Sequence, residues 1–187
     1  MNKFARLLLL LAAVSVPFGA HAFSLPWLSA APQPAARAPA SVATPTPGNP
    51  QLADRIVVKK AQRRLYLMRG NTPWRTYKIA LGLQPTGHKR HQGDGRTPEG
   101  RYRIDRRVDR SGYHKALQIS YPSPTDRLRA QVQGVDPGGL IMIHGQPNGA
   151  AQQRAGDWTF GCIAVSNLEI DEIWSLTAAG TPVEILP

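Results

Sequence analysis

A single cysteine and a histidine upstream of it are the residues of this sequence best suited to covalent chemistry. Cys162 is the only cysteine among 187 residues, and His144 precedes it by 18 positions (162 − 144). A thiol with a pKa of about 8.5 is mostly protonated at neutral pH, whereas the thiolate is a strong nucleophile. A neighbouring imidazole can take the proton, hold the resulting ion pair and later protonate a leaving amine. The pair therefore predicts acyl transfer through the thiol, if the loop between the two residues folds back.

The residues around this pair favour a catalytic role over a buried, inert thiol. His144 directly follows the apolar run 139–143, which predicts a strand buried on both faces. Gly161, immediately before Cys162, lets the backbone turn tightly and approach a substrate. We expect the main-chain amides of Gly161 and Cys162 to stabilise an oxyanion, and the Thr159 hydroxyl to orient groups near the thiol.

The hydrophobic pattern after residue 50 predicts a mainly β domain with one or two helices, of the α+β class. The runs at 55–59, 64–69 and 74–81 predict an antiparallel meander. Residues 82–100 are rich in glycine, proline and charge, which predicts a long ordered loop with a functional role. Further strands are predicted at 101–104, 117–121, 139–143, 161–165 and 181–186. Asn167 is the predicted cap of a helix that Gly180 ends.

The first 50 residues predict export. Lys3 and Arg6 precede the apolar run 7–18, and an Ala-His-Ala sequence ends at residue 22, so residues 1–22 indicate a secretory signal peptide. Residues 23–50 are rich in proline and alanine and predict a flexible tether. Residues 51–187 then form one folded domain, located in the periplasm or cell envelope.

The net charge narrows the class of partner. A formal charge of +11 favours anionic partners, or simply keeps the protein soluble. Export argues against nucleic acid, and a wall polymer, an anionic glycan or a lipid surface fits better. The basic run 101–110 is either a solvated strand face or a carboxylate-binding surface. The sequence leaves the oligomeric state open.

Two local motifs resemble those of a known family. Histidine-glycine at 144–145 followed by T-F-G-C at 159–162 resembles the catalytic motif of the L,D-transpeptidases, whose catalytic domain is of the YkuD type. The stretch G-D-G-R-T-P-E-G at 93–100 is similar to a second stretch of that family. The resemblance covers 55–186 and implies a YkuD-like β-sandwich.

The resemblance also implies roles. Cys162 would be the acylated nucleophile, His144 its base, and Gly161 with Cys162 the source of oxyanion amides. The substrate would be a peptidoglycan stem peptide, cut between an L and a D centre, and a carbapenem would acylate the same thiol. No metal or organic cofactor is implied. Further candidates for substrate or oxyanion binding are Gly145, Trp158 and His88, of which Trp158 is either a cleft wall or a core anchor.

Some positions depart from the common family pattern and leave the reaction open. Phe160 stands where many members have histidine, and Ala164 where many have arginine or asparagine. The form D-W-T-x-G-C is similar to a branch that includes enzymes cutting the link between peptidoglycan and a wall-anchored lipoprotein. A hydrolase, with such a lipoprotein as partner, is therefore one alternative, and a non-catalytic wall-binding module is another. A zinc site drawn from His88, His91 and His114 is not favoured, because no acidic ligand is suitably spaced.

Overall fold

The computed structural model describes residues 51–187, and the signal peptide and tether predictions lie outside that range. Eight strands and two helices make up the described part. In chain order they are β1 (Arg55–Lys59), β2 (Arg64–Arg69), β3 (Thr72–Lys78), β4 (Gly100–Ser111), β5 (His114–Ile119), α1 (Pro124–Val132), β6 (Met142–His144), β7 (Ile163–Ala164), α2 (Asn167–Ser175) and β8 (Pro182–Leu186). The prediction of a mainly β domain with one or two helices is confirmed.

The strands follow the order β3-β2-β1-β8-β4-β5-β6-β7. The first three form the antiparallel meander that the sequence predicts, and β8 returns to pair in parallel with β1. Alternate residues of β2, Leu65 and Leu67, are fully buried together with Ile56 and Val58 of β1. The alternation in β2 is the period-two pattern of a strand that covers a core, whereas in β1 the intervening Val57 is buried as well.

Strand β4 joins the two halves of the sheet. Its first residues, from Gly100 to Arg103, pair with β8, and from Ile104 onward it pairs with β5, with a register shift between Ile104 and Arg106. The sequence predicts only 101–104, because the charged residues that follow have no apolar alternation. Backbone pairing with β5 extends the strand through this polar stretch, and one hydrophobic core contains residues from both halves of the sheet.

The strand predicted at 139–143 is wrong in its first part. Strand β6 begins only at Met142, Leu140 is 65% exposed, and its φ of 55° breaks the extended backbone. Ile141 and Ile143 are buried, so the apolar run combines core residues with an exposed one. The turn at Leu140 places the beginning of the run at the surface, where Leu140 lines the cavity described below.

The helices differ from the sequence predictions in three ways, one of which is that α2 ends at Ser175, well before the predicted end at Gly180. Helix α1 has no predicted counterpart, although Ser123 and Asp126 form a capping box around its first turn, with a proline among its first residues. Helix α2 is capped by Ser166 with Glu169 completing the box, whereas Asn167 was the predicted cap. Asn167 instead accepts a hydrogen bond from the Gln146 amide (2.8 Å), which ties the helix to the chain after β6. Within residues 51–187, neither helix is long and apolar enough to cross a membrane.

Candidate active site

The parallel pairing of β6 with β7 brings His144 and Cys162 to one face of the sheet. Ile143 pairs with Ile163 and His144 with Ala164, which sets Cys162 level with Met142, two residues before the histidine. Residues two apart on a strand share a face, and paired residues on neighbouring strands do too. Both side chains consequently line one cavity of about 390 Å³.

The tautomer of His144 is set by the next residue. Its Nδ1 lies 2.7 Å from the Gly145 carbonyl oxygen. A carbonyl can only accept, so Nδ1 carries the proton and Nε2 of the neutral ring has a free lone pair. Burial lowers the pKa of His144 below its ordinary value of 6.5, although the Gly145 carbonyl acts in the opposite direction. The ring is therefore a neutral base at neutral pH.

The thiol of Cys162 is protonated at rest. Its Sγ donates to the Leu140 carbonyl at 3.6 Å. Burial raises the pKa of this thiol above its ordinary value, and the Met142 amide and the charge of Lys89 partly offset this increase. Together with the lowered pKa of His144, this favours a neutral thiol and a neutral imidazole, whereas the sequence suggested an ion pair. The structure thus fits proton transfer to His144 during the reaction.

The Thr159 hydroxyl holds the turn that carries the thiol. It donates to the Cys162 carbonyl (2.7 Å) and accepts from the Gly161 amide (3.1 Å). The Gly161 amide, expected to face an oxyanion, is thus engaged within the turn. The Cys162 amide has no hydrogen-bond partner within residues 51–187 and is the amide of this pair that is free to meet an oxyanion.

The long loop 82–100 packs against the same turn. Gly161 has a φ of 127°, and a Cβ there would lie 2.6 Å from the Arg96 carbonyl oxygen. Lys60, only 2% exposed, holds the loop by donating to Gly87 (2.6 Å), Thr97 (2.9 Å) and the Glu99 carboxylate (2.8 Å). Sequence reasoning missed Lys60, because a lysine at the end of a strand looks like a surface residue.

Aromatic rings form the wall behind His144. The Tyr113 ring centroid lies 4.5 Å from that of His144, and the Trp158 centroid lies 5.8 Å away in an edge-on arrangement. Trp158 is therefore a wall of the cleft rather than a core anchor. The sequence analysis did not identify Tyr113 as a site residue. The available signal was its position after Gly112, in the turn between β4 and β5. Phe160 also lines the cavity and is 78% exposed.

Two other predicted site residues serve the framework. His88 lies outside this cavity, with Nε2 3.1 Å from an Asp126 carboxylate oxygen and Nδ1 accepting from the Glu99 amide (3.0 Å). It connects the loop to α1. Gly145 orients His144 and donates to the Tyr113 carbonyl (3.1 Å). A Cβ at position 145 would lie 2.5 Å from Asn167 Oδ1, so close packing at this position requires glycine.

The described part of the chain holds no cluster of three potential metal-ligating side chains from histidine, cysteine, aspartate or glutamate. His114 is paired with a carboxylate, as His88 is: it lies 3.0 Å from Asp171, and it does not line the cavity.

The fold and the site indicate the class of protein to which this chain belongs. Residues 53–185 match the family model of the L,D-transpeptidase catalytic domain, YkuD, and the chain belongs to that family of enzymes. The resemblance found in the two motifs is thereby confirmed at the level of the family.

Individual relatives cover only parts of this chain and of themselves. The chain is 34% identical over 101 residues to YafK of Escherichia coli K12, which bears an L,D-transpeptidase name; the match covers 53% of this chain and 35% of YafK. The chain thus matches about a third of that curated relative. Pgp2, a helical cell shape determining protein from Campylobacter jejuni, is similar at 27% identity with a TM-score of 0.55, over 70% of this chain and 46% of Pgp2. Bd1075 of Bdellovibrio bacteriovorus shares the fold, with 23% identity and a TM-score of 0.52, over 72% and 48% of the two chains.

Proposed function

We propose that the protein is a cysteine acyltransferase that acts on peptidoglycan stem peptides at a bond between an L and a D centre. Cys162 is the nucleophile and His144 its general base. The observation that carries this proposal is the shared cavity, which both Cys162 and His144 line, together with the Nδ1 contact to Gly145 that leaves Nε2 of the ring unprotonated. Membership of the L,D-transpeptidase family supports the class of substrate.

The proposed reaction has two halves. In the first, His144 takes the thiol proton while the sulfur attacks the peptide carbonyl, and the Cys162 amide faces the oxyanion. The C–N bond then breaks as the imidazolium protonates the leaving amine, which leaves a thioester on Cys162. In the second half, His144 deprotonates an incoming amine or a water, whose attack releases the acyl group and restores the thiol.

The incoming nucleophile separates a transpeptidase from a hydrolase. An amine gives a cross-link or an exchanged product, and water gives a trimmed peptide. A wall-anchored lipoprotein joined to the stem peptide is the alternative substrate for the hydrolytic reaction. Incubation with muropeptides, followed by mass analysis of the products, distinguishes these outcomes.

A role outside the cytoplasm follows from the proposed substrate. Stem peptides lie in the cell envelope, and residues 1–22 have the pattern of a signal peptide that would direct the chain there. Because Pgp2 is described as determining helical cell shape, we extend the proposal to wall remodelling that affects cell shape.

The test follows the acyl-enzyme by intact-protein mass. Incubation with a stem tetrapeptide or a carbapenem is expected to add the acyl mass to the wild type and nothing to Cys162→Ala. His144→Ala is expected to slow acylation by roughly 10²–10⁴-fold, through loss of the base. His91→Ala is the matched control, because His91 is exposed and contacts only the neighbouring Gln92 carbonyl through its ring.

One result would replace the enzymatic proposal. If the wild type forms no adduct and Cys162→Ala still binds purified peptidoglycan as the wild type does, the domain is a wall-binding module.

A further inference from the structure

The cavity around Cys162 contains positive charge and no negative charge. Its lining includes Arg106 and Arg154 but no aspartate or glutamate. Within residues 51–187, neither guanidinium forms an ion pair with a carboxylate. Some arginines of the domain have such a partner, as Arg63 does with Asp157 at 2.8 Å, and others outside the cavity, such as Arg110, form no ion pair within residues 51–187, so the position in the cavity is what distinguishes Arg106 and Arg154. Two arginines without acidic partners in a catalytic cavity favour an anionic ligand.

Arg106 lines the cavity from β4. Arg106 pairs with Gln118 of β5, which in turn pairs with Met142 of β6, the residue level with Cys162. The Arg106 guanidinium donates to the neutral amide oxygen of Gln118 (3.0 Å), which orients it without neutralising its charge. Its remaining N–H groups can bind a carboxylate.

Arg154 lines the cavity from the loop after β6. Its guanidinium carbon lies 4.9 Å from the centre of the Trp158 ring, which is edge-on to His144. The backbone amide of Arg154 donates to Gln146 Oε1 (3.0 Å), and buried Gln146 donates to the Val165 carbonyl (2.7 Å). The exposed arginine is thus carried on an anchored backbone and stacks on the cleft wall.

We infer that Arg106 and Arg154 form a two-point carboxylate clamp, which selects substrates with carboxylates near the scissile peptide bond. The identity of the substrate rests on the proposed function. Stem peptides carry suitable carboxylates, at the C-terminus and on a diamino-acid side chain. Planar guanidinium groups match carboxylates in a bidentate geometry that lysine cannot copy. The clamp would supply an anion contact in a chain that has Ala164 where many family members have arginine or asparagine.

The first test needs no peptide turnover. Cys162 is alkylated with iodoacetate and with its neutral analogue iodoacetamide, and the ratio of the two rate constants reports attraction of a carboxylate to the thiol. We expect this ratio to fall roughly threefold or more in Arg106→Gln and in Arg154→Gln, because each loses a charged hydrogen-bond donor. Arg110→Gln is the matched control, because it removes the same charge from exposed β4 surface outside the cavity.

Two results of this test would overturn the two-point clamp. A ratio that stays at the wild-type value in either cavity variant overturns the two-point clamp. An equal fall in Arg110→Gln also overturns it, because a general field of the protein would then be the cause. Arg154→Lys keeps the charge and is expected to retain part of the ratio, which separates a lost anion contact from a disturbed Trp158.

The second test identifies the carboxylate. Stem tetrapeptides are compared with free carboxylates, with an amidated C-terminus, and with an amidated diamino-acid side chain. Amidation of the recognised group is expected to raise KM roughly tenfold in the wild type and much less in the variant that has lost its partner arginine. Equal KM values for all three peptides would refute the clamp even if turnover is normal. Absence of turnover with an intact alkylation effect would instead refute the proposed function alone.

Discussion

The Thr159 hydroxyl provides the sharpest test of how the nucleophile is held. Thr159 is 3% exposed, and its hydroxyl makes two hydrogen bonds within the turn, one to the Cys162 carbonyl and one from the Gly161 amide. Thr159→Val keeps the shape of the side chain and removes both bonds. Each hydrogen bond contributes about 1 kcal/mol, and a buried polar group left unsatisfied costs about 1–3 kcal/mol. We therefore expect the free energy of unfolding to fall by roughly 2–4 kcal/mol.

Thr177→Val is the matched control for this change. Thr177 is 1% exposed, and its hydroxyl donates only to the Ile173 carbonyl in α2, at 2.7 Å. The same isosteric substitution there should cost about 1 kcal/mol in urea denaturation. Only Thr159→Val should also slow acylation of Cys162, by up to roughly 10²-fold, because a displacement of about 1 Å at the reacting atom has an effect of that size. Equal stability of the two variants, with wild-type acylation in both, would refute the role assigned to this hydroxyl.

Three further predictions test the electrostatics and the packing of the domain. Alkylation of Cys162 by iodoacetamide should rise continuously with pH above neutrality, because burial raises the pKa of the thiol above 9.0; a plateau of fast alkylation at acidic pH would indicate a preformed ion pair instead. Gly161→Ala should lower the free energy of unfolding in urea by about 2 kcal/mol more than Gly149→Ala, because both glycines have positive φ but only Gly161 has a backbone oxygen at the Cβ position; equal losses would contradict this packing. Burial alone would raise the pKa of Asp126, but hydrogen bonds, the strongest from His88, hold it at about 2. The resulting stability, about 2 kcal/mol, is present above the ordinary pKa of 3.8 and is lost as pH falls towards 2, so Asp126→Asn should be less stable at pH 7 and less sensitive to acid in urea titrations. Wild-type acid sensitivity in that variant would show that this carboxylate is not responsible.

Local sequence signals were sufficient for much of the framework. The strands β1 and β2 begin and end where the apolar pattern predicts, because β1 is a short run of buried β-branched residues and most of β2 alternates between buried and partly exposed positions. The pattern was insufficient where a backbone interaction or a single dihedral angle decided the structure. Strand β4 continues through charged residues by pairing with β5, and the positive φ of Leu140 ends an apolar run that looked like one buried strand.

For the candidate site, residue types, the neighbouring residues and the family resemblance together selected Cys162 and His144, and the structure places both in one cavity. The sequence by itself also determined the family, through two short motifs in order. Only the tertiary structure decided that Thr159 occupies the Gly161 amide, that His144 presents Nε2 to the cavity, and that arginines 106 and 154 line the cavity without acidic partners. These facts depend on contacts between segments far apart in the chain, and periodicity along one segment contains no information about which other segment folds against it.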